Sequence, residues 1–386
     1  MKYLKYYAAT FELLAGIYFC SIGSYYSSVF FILTSMIIVL GDIYIGEDAS
    51  NHKYKYHFLL NFPIYINLSL LYIYLFMIIF IFGNQESSFL ITFYNDFLYI
   101  DLEYFKNSVT LFDKISLITL TALFIGIMGT VPGHELTHRK KNKFDMFVGN
   151  WLLALSWDCA FAVEHVYGHH KNVCLSGDPA TAKRGENIYL FILRAIIKEQ
   201  KDAWKIELKH LRRRGYAYYS YNNKMLLGYF RSLIITFLAY AAGGLLGMFF
   251  YLLCALIAKS FLEVINYTEH YGLVRVEGEP VEIRHSWNSN SIISSILLFN
   301  VTRHSSHHEK TNLQYWELDA YPDAPMMPQG YLCMLYLAIL CPPYYNKIMA
   351  KKLIEWDEKY ATPKERELAT IQNKNSGISI LEKFSL

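Results

Sequence analysis

Long apolar runs alternate with polar connections along this chain. Six runs, near residues 6–23, 26–45, 58–82, 115–133, 232–249 and 250–267, approach or exceed the roughly 20 apolar residues that carry a helix across a bilayer. They predict an all-α, polytopic integral membrane protein with about six transmembrane helices. Ser21-Ile22-Gly23-Ser24 predicts a tight hairpin between the first two, and the Gly243-Gly244 to Gly247 region another between the last two. Residues 148–163 and 331–341 are apolar but too short to span, and predict buried or interfacial helices. Residues 186–231 are amphipathic and basic, as a helix lying along headgroups would be. The chain thus divides into four N-terminal helices (1–133), a polar region (134–231), a hairpin (232–267), a second polar region (268–360) and a polar tail (361–386) expected to be weakly ordered.

Charge orients these elements. Residues 83–113 carry Glu86, Asp96, Asp101, Glu103 and Asp113 against Lys106, whereas 139–231 carry Arg139, Lys140, Lys141, Lys143, Lys171 and Arg212-Arg213-Arg214. The positive-inside rule places the N-terminus and residues 139–231 in the cytoplasm. A hydrophobic content of 54% with 17% aromatics exceeds that of ordinary soluble domains. A net charge of +3 gives no basis for a nucleic-acid partner. No short cleavable signal is evident at the start. The six cysteines (Cys20, Cys159, Cys174, Cys254, Cys333 and Cys341) include no CxxC pair and read as buried or free thiols.

The candidate chemistry lies in the histidines, nine of whose 13 fall in four clusters. His134 and His138 are four apart, one turn on the same helix face. His165 and His169 repeat that spacing, with His170 a quarter of the circumference away. His270 stands alone at the end of the sixth run. His304, His307 and His308 have the i, i+3, i+4 spacing of one face. An even number of crossings separates each cluster from the next, so all four meet on the cytoplasmic side as a histidine-rich metal-binding cap. His52, His57, His210 and His285 lack such company and read as ordinary hydrogen-bonded rings.

A zinc ion takes three or four ligands, so nine histidines suit two metals rather than one. A metalloprotease would use only the HExxH of the first cluster, leaving six histidines unexplained. A metal transporter would spread ligands along a transmembrane path. Imidazole itself accepts zinc, copper, iron or nickel. Nine neutral ligands give each ion four or five nitrogens and an open position, which suits oxygen activation better than a closed structural site. Glu135, Glu164 and Glu269 each adjoin a histidine in sequence. Each is expected to accept the other ring N–H of a ligand, direct ligation being the alternative.

The pattern resembles the membrane alkane hydroxylase (alkane 1-monooxygenase) family, relatives of the integral-membrane desaturases. The desaturases share the HxxxH, HxxxHH-like and HxxHH boxes. The alkane hydroxylases add Asn266-Tyr267-Thr268-Glu269-His270-Tyr271-Gly272, Asp178-Pro179-Ala180-Thr181-Ala182 with Gly185-Glu186, and His285-Ser286-Trp287-Asn288-Ser289-Asn290. Leu298-Phe299-Asn300, Asp42 to Asp48 and Pro328-Gln329-Gly330-Tyr331 match as well. The likeness covers roughly residues 5–350. It implies two non-haem iron ions, a di-iron centre that inserts one oxygen atom of O2 into a terminal C–H bond of an apolar chain admitted between the N-terminal helices. It implies rubredoxin and its NAD(P)H-dependent reductase as electron donors. With no CxxC in the chain, a fused rubredoxin is absent and the donor is expected to be a separate protein. Two acidic positions of the family pattern are Asn172 and Ser306 here. All nine histidines are present.

Overall fold

In the computed structural model, which describes residues 2–385, the secondary structure among the described residues is helical, with no strands. Four helices are long and apolar enough to cross a membrane: Tyr26–Tyr44, His57–Phe82, Leu111–His138 and Lys224–His270. At 1.5 Å per residue the 26-residue His57–Phe82 helix is about 39 Å long, against a hydrocarbon core of about 30 Å. The chain is a multi-pass membrane protein. Exposed Phe58, Phe62, Phe230, Phe237, Phe249 and Leu256 fit a lipid-facing surface.

The last long helix is two helices. Gly244 has φ 65° and ψ −160°, which interrupts the Lys224–His270 run at the expected hairpin. The turn needs glycine for space as well as for φ. A Cβ on Gly243 would stand 2.8 Å from the Ile79 carbonyl oxygen, and one on Gly83 would stand 2.6 Å from the Gly243 Cα. The first hairpin turns at Gly23, with φ 76°. Its leading helix, Ala8–Ser21, has only 14 residues, extended by a 3-10 turn at Leu4–Tyr7.

Contacts divide the chain into two compact units. The first comprises residues 1–37, 54–159 and 219–261. Within it Leu111–His138 begins in a capping box of Thr110 and Asp113. It loosens into a π turn at Ile125–Thr130, just before Pro132. That is where a ring with no N–H to offer would break a regular ladder.

The second unit comprises residues 38–53, 160–218 and 262–386. Its Ile188–Arg213 helix buries Phe191, Ala195, Ala203 and Leu211, while Leu190, Leu193 and Ile197 are exposed among Lys198, Lys201 and Lys205. Buried Asp42 ties three segments together. Its carboxylate accepts from the Ser291 hydroxyl at 2.6 Å, the Ser294 hydroxyl at 2.6 Å, the Ser294 N–H at 3.0 Å and the Cys333 N–H at 3.1 Å. The C-terminal segment is not the weakly ordered tail its polarity suggests. It forms the helices Pro363–Lys374 and Ser379–Phe384, with Glu365 and Leu381 fully buried. A capping box of Thr362 and Glu365 with Pro363 in the first turn starts the former helix.

Candidate metal centre

Seven of the nine clustered histidines lie in the second unit, where they sort into two groups. His169, His270, His304 and His308 bring one ring nitrogen each into mutual proximity, all within 4.8 Å, and all four residues are buried. His304 Nε2 lies 3.2 Å from His270 Nε2 and 3.0 Å from His308 Nε2. His165, His170 and His307 form the other group, with His170 Nε2 3.1 Å from both His165 Nε2 and His307 Nε2.

This partition departs from the helical spacing. An α-helix would pair His165 with His169, but His165–His169 is a π turn. Its i→i+5 periodicity pairs His165 with His170 and frees His169 for the other group. His304 and His308 keep their four-residue pairing, while His307 turns to the neighbouring group. In the first unit His134 and His138 do pair as the spacing requires, with Nε2 atoms 3.0 Å apart.

The other ring nitrogens reveal how the imidazoles are aimed. His169 Nδ1–H donates to Asp178 Oδ2 at 3.0 Å. Asp178 Oδ2 also accepts from the Thr181 hydroxyl at 2.6 Å, whose oxygen accepts from the Cys174 N–H at 3.0 Å. Burial pushes the Asp178 carboxyl up, but the facing His169 and the Thr181 hydroxyl outweigh it and hold the group below its ordinary value. His270 Nδ1–H donates to the His285 carbonyl at 3.0 Å. Both rings therefore present an unprotonated Nε2 inward. His169 Nε2 is buried without a hydrogen-bond partner. A metal ion would satisfy it, so the four-imidazole set fits a metal centre.

The three glutamates fare differently from one another. Glu135 pairs with Arg139 at 2.6 Å, and Arg139 also reaches Asn61 and Asp145. Glu164 packs its carboxylate against Gly168, where a Cβ would come within 2.4 Å of it. Glu269 Oε2 lies 3.3 Å from His304 Nε2, on the ring edge that faces the other imidazoles. That position suits ligation to the metal better than support of a ring from behind. Asp178 and the His285 carbonyl accept the outer ring N–H groups of His169 and His270. Both lie in motifs shared with the alkane hydroxylases, which was the one signal for them. Ser306, at a position acidic in the family, accepts the Asp319 N–H at 3.0 Å.

Histidines gathered in this way on a helical membrane chain define a class. Residues 115–336 match the fatty acid desaturase family model, more than half of the chain, and the chain belongs to that family, in its alkane-hydroxylase branch. It is 38% identical over 234 residues to alkane 1-monooxygenase 1 of Pseudomonas aeruginosa, covering 59% of this chain and 61% of that relative. It is 31% identical over 361 residues to the alkane 1-monooxygenase of Acinetobacter baylyi, covering 92% and 82%. Similarity extends to the xylene/toluene monooxygenase hydroxylase component XylM of Pseudomonas putida, at 34% over 263 residues, covering 67% and 70%.

Proposed function

We propose that this chain is a non-haem di-iron monooxygenase of the inner (cytoplasmic) membrane. Its reaction is hydroxylation of the terminal carbon of medium- and long-chain n-alkanes to primary alcohols, with O2 as co-substrate. The observation that carries the reading is the buried group of His169, His270, His304 and His308 with Glu269 beside it. Names of the relatives supply the substrate class.

In this reading His134, His138, His165, His169, His170, His270, His304, His307 and His308 hold two irons. Iron, when bound, supplies O2 activation and oxidation of the C–H bond. The chain's residues do the rest. Asp178 and the His285 carbonyl keep protons on the outer nitrogens of His169 and His270, so that their Nε2 lone pairs stay available. The carboxylates of Asp178 and Glu269 offset positive charge that neutral imidazoles leave uncompensated. Apolar helices of the N-terminal half exclude water and admit an alkyl chain from the bilayer.

Six spans follow if Ala8–Ser21 crosses with its 3-10 turn and the two arms about Gly244 count separately. The loop charges then put the active site on the cytoplasmic face. Electrons come from a rubredoxin and its NAD(P)H-dependent reductase. Exposed Lys140, Lys141 and Lys143 suit docking of a small acidic donor.

The similarity to XylM favours a second reading, hydroxylation of toluene or xylenes. Fatty acyl or terpenoid chains are a third substrate class for the same scaffold. Iron-loaded purified protein with donor and reductase, given n-alkanes, toluene, xylenes and fatty acids, separates them by mass spectrometry of products. Primary alcohols from alkanes are expected. An alkene product, or turnover confined to arenes or acyl chains, would refute the alkane assignment.

A further inference from the structure

The metal ligand His270 is aimed by a backbone carbonyl, and that carbonyl belongs to a turn held from outside the histidine clusters. His285 O accepts from His270 Nδ1–H at 3.0 Å and from the Cys174 thiol at 3.1 Å. The His285 ring is fully buried and its tautomer is fixed. Nδ1 accepts the Glu282 N–H at 2.9 Å, so the proton sits on Nε2, which donates to Glu365 Oε1 at 2.8 Å. Burial keeps this imidazole below its ordinary pKa, which favours the neutral form.

Glu365 lies in the first turn of the Pro363–Lys374 helix. Its other oxygen accepts from Arg284 Nε at 3.0 Å and from the Thr362 N–H at 2.8 Å. Trp356, one helix earlier, donates its indole N–H to the Arg284 carbonyl at 2.7 Å. The Ile283–His285 turn is thus gripped on consecutive residues by the C-terminal helices. Both nitrogens of the His285 ring are accounted for, one inside the turn and one on Glu365.

We propose that the Pro363–Lys374 helix is a metal-positioning element, in which Glu365 sets His285 and thereby the carbonyl that orients His270. Glu365 is a positioning residue, not a catalytic one, since it touches neither metal nor substrate. The inference rests on the metal-centre reading above. It assigns a role to a C-terminal segment beyond the four histidine clusters and beyond the span of the family model.

The test uses the full chain in detergent, stripped of metal and reloaded with Co2+. Its visible spectrum reports the ligand set, and a chelator challenge reports the rate of loss. Partners that orient ligand histidines are worth about 10–100-fold in affinity, and Glu365 acts one step further out. Glu365→Ala is therefore expected to speed loss of part of the Co2+ by about tenfold and to alter the spectrum. Glu365→Gln retains an oxygen that can accept the His285 Nε2–H, and should stay within about threefold of the parent. Leu381→Ala serves as a stability control. It truncates a buried side chain in the neighbouring Ser379–Phe384 helix and lowers Tm without touching Glu365.

Parent-like retention in Glu365→Ala would overturn the proposal. So would equal loss from Leu381→Ala at a matched fall in Tm, or loss from Glu365→Gln as fast as from Glu365→Ala. A parent chain that takes up no metal would instead refute the metal centre itself, and this inference with it.

Discussion

Arg184 offers the sharpest test of how the second unit is held together. Its side chain has no solvent exposure and makes four hydrogen bonds. Nη1 and Nη2 each donate to one oxygen of Asp357 at 2.6 Å, Nη1 also reaches Asn373 Oδ1 at 2.7 Å, and Nε reaches the Gly272 carbonyl at 2.8 Å. Summing four charge-assisted bonds would give about 6–12 kcal/mol. That overstates the case, because the guanidinium's own desolvation opposes it. Removing one partner of a buried pair costs about 3–5 kcal/mol, chiefly from stranding the other charge. Arg184→Met should cost that much, because Asp357 is only 6% exposed and Asn373 alone would remain to solvate it. For a unit of this size the loss corresponds to a fall in Tm of about 6–20 °C. Asp357→Leu in the Arg184→Met background removes the stranded charge and should recover most of the loss. Thermal unfolding of the four members of the cycle, followed by tryptophan fluorescence, decides it. A single variant within about 2 °C of the parent would refute the reasoning. A double variant as unstable as Arg184→Met would refute it equally.

Three further outcomes are expected. Gly185 has φ 77°, and a Cβ there would stand 1.8 Å from the Ser376 carbonyl oxygen, so Gly185→Ala should destabilise by more than about 1 kcal/mol. Unchanged denaturation midpoints would contradict that. Asp178→Ala removes the acceptor of the His169 Nδ1–H and should weaken metal binding by about 10–100-fold, read by competition with a chelator; parent-like affinity would count against its orienting role. Burial pushes the Glu365 carboxyl up, but the bonds from His285, Arg284 and the Thr362 N–H outweigh it and hold the group at about 2, below an ordinary 4.5. Its stabilisation is therefore complete above the ordinary value and lost as pH falls through the depressed one. Tm measured against pH should fall more steeply between about pH 4.5 and 2 in the parent than in Glu365→Gln, and parallel curves would show the linkage to be elsewhere.

Much of this was legible in the chain itself, because membrane helices advertise themselves by length and apolarity. Tyr26–Tyr44, His57–Phe82 and the Gly244 hairpin fall where the hydropathy runs put them. The histidines were equally plain, since nine of them in four short clusters leave few chemistries. What spacing could not give was their partition. Reading His165 with His169 assumed 3.6 residues per turn, and the π turn changes the partner by one residue. Nor could polarity reveal that residues 363–374 dock through a buried glutamate. A carboxylate among Lys364, Arg366 and Glu367 looks like any solvated face until its distant partners, Arg284 and His285, are known. His285 is the buried, hydrogen-bonded ring it was read to be; its further role is carried by its carbonyl, and side-chain identity says little about a main-chain atom.

The π turn has a structural consequence for the spacing of the two imidazole groups. His169 and His170 are adjacent in the chain and serve different groups, and so are His307 and His308. Each pair is joined by one peptide bond, whose flanking Cα atoms stand 3.80 Å apart by covalent geometry alone. The two groups are thus yoked by two rigid rungs. Each rung holds two backbone anchor points of the neighbouring groups at one spacing, and the side-chain torsions alone set the distance between their ring nitrogens.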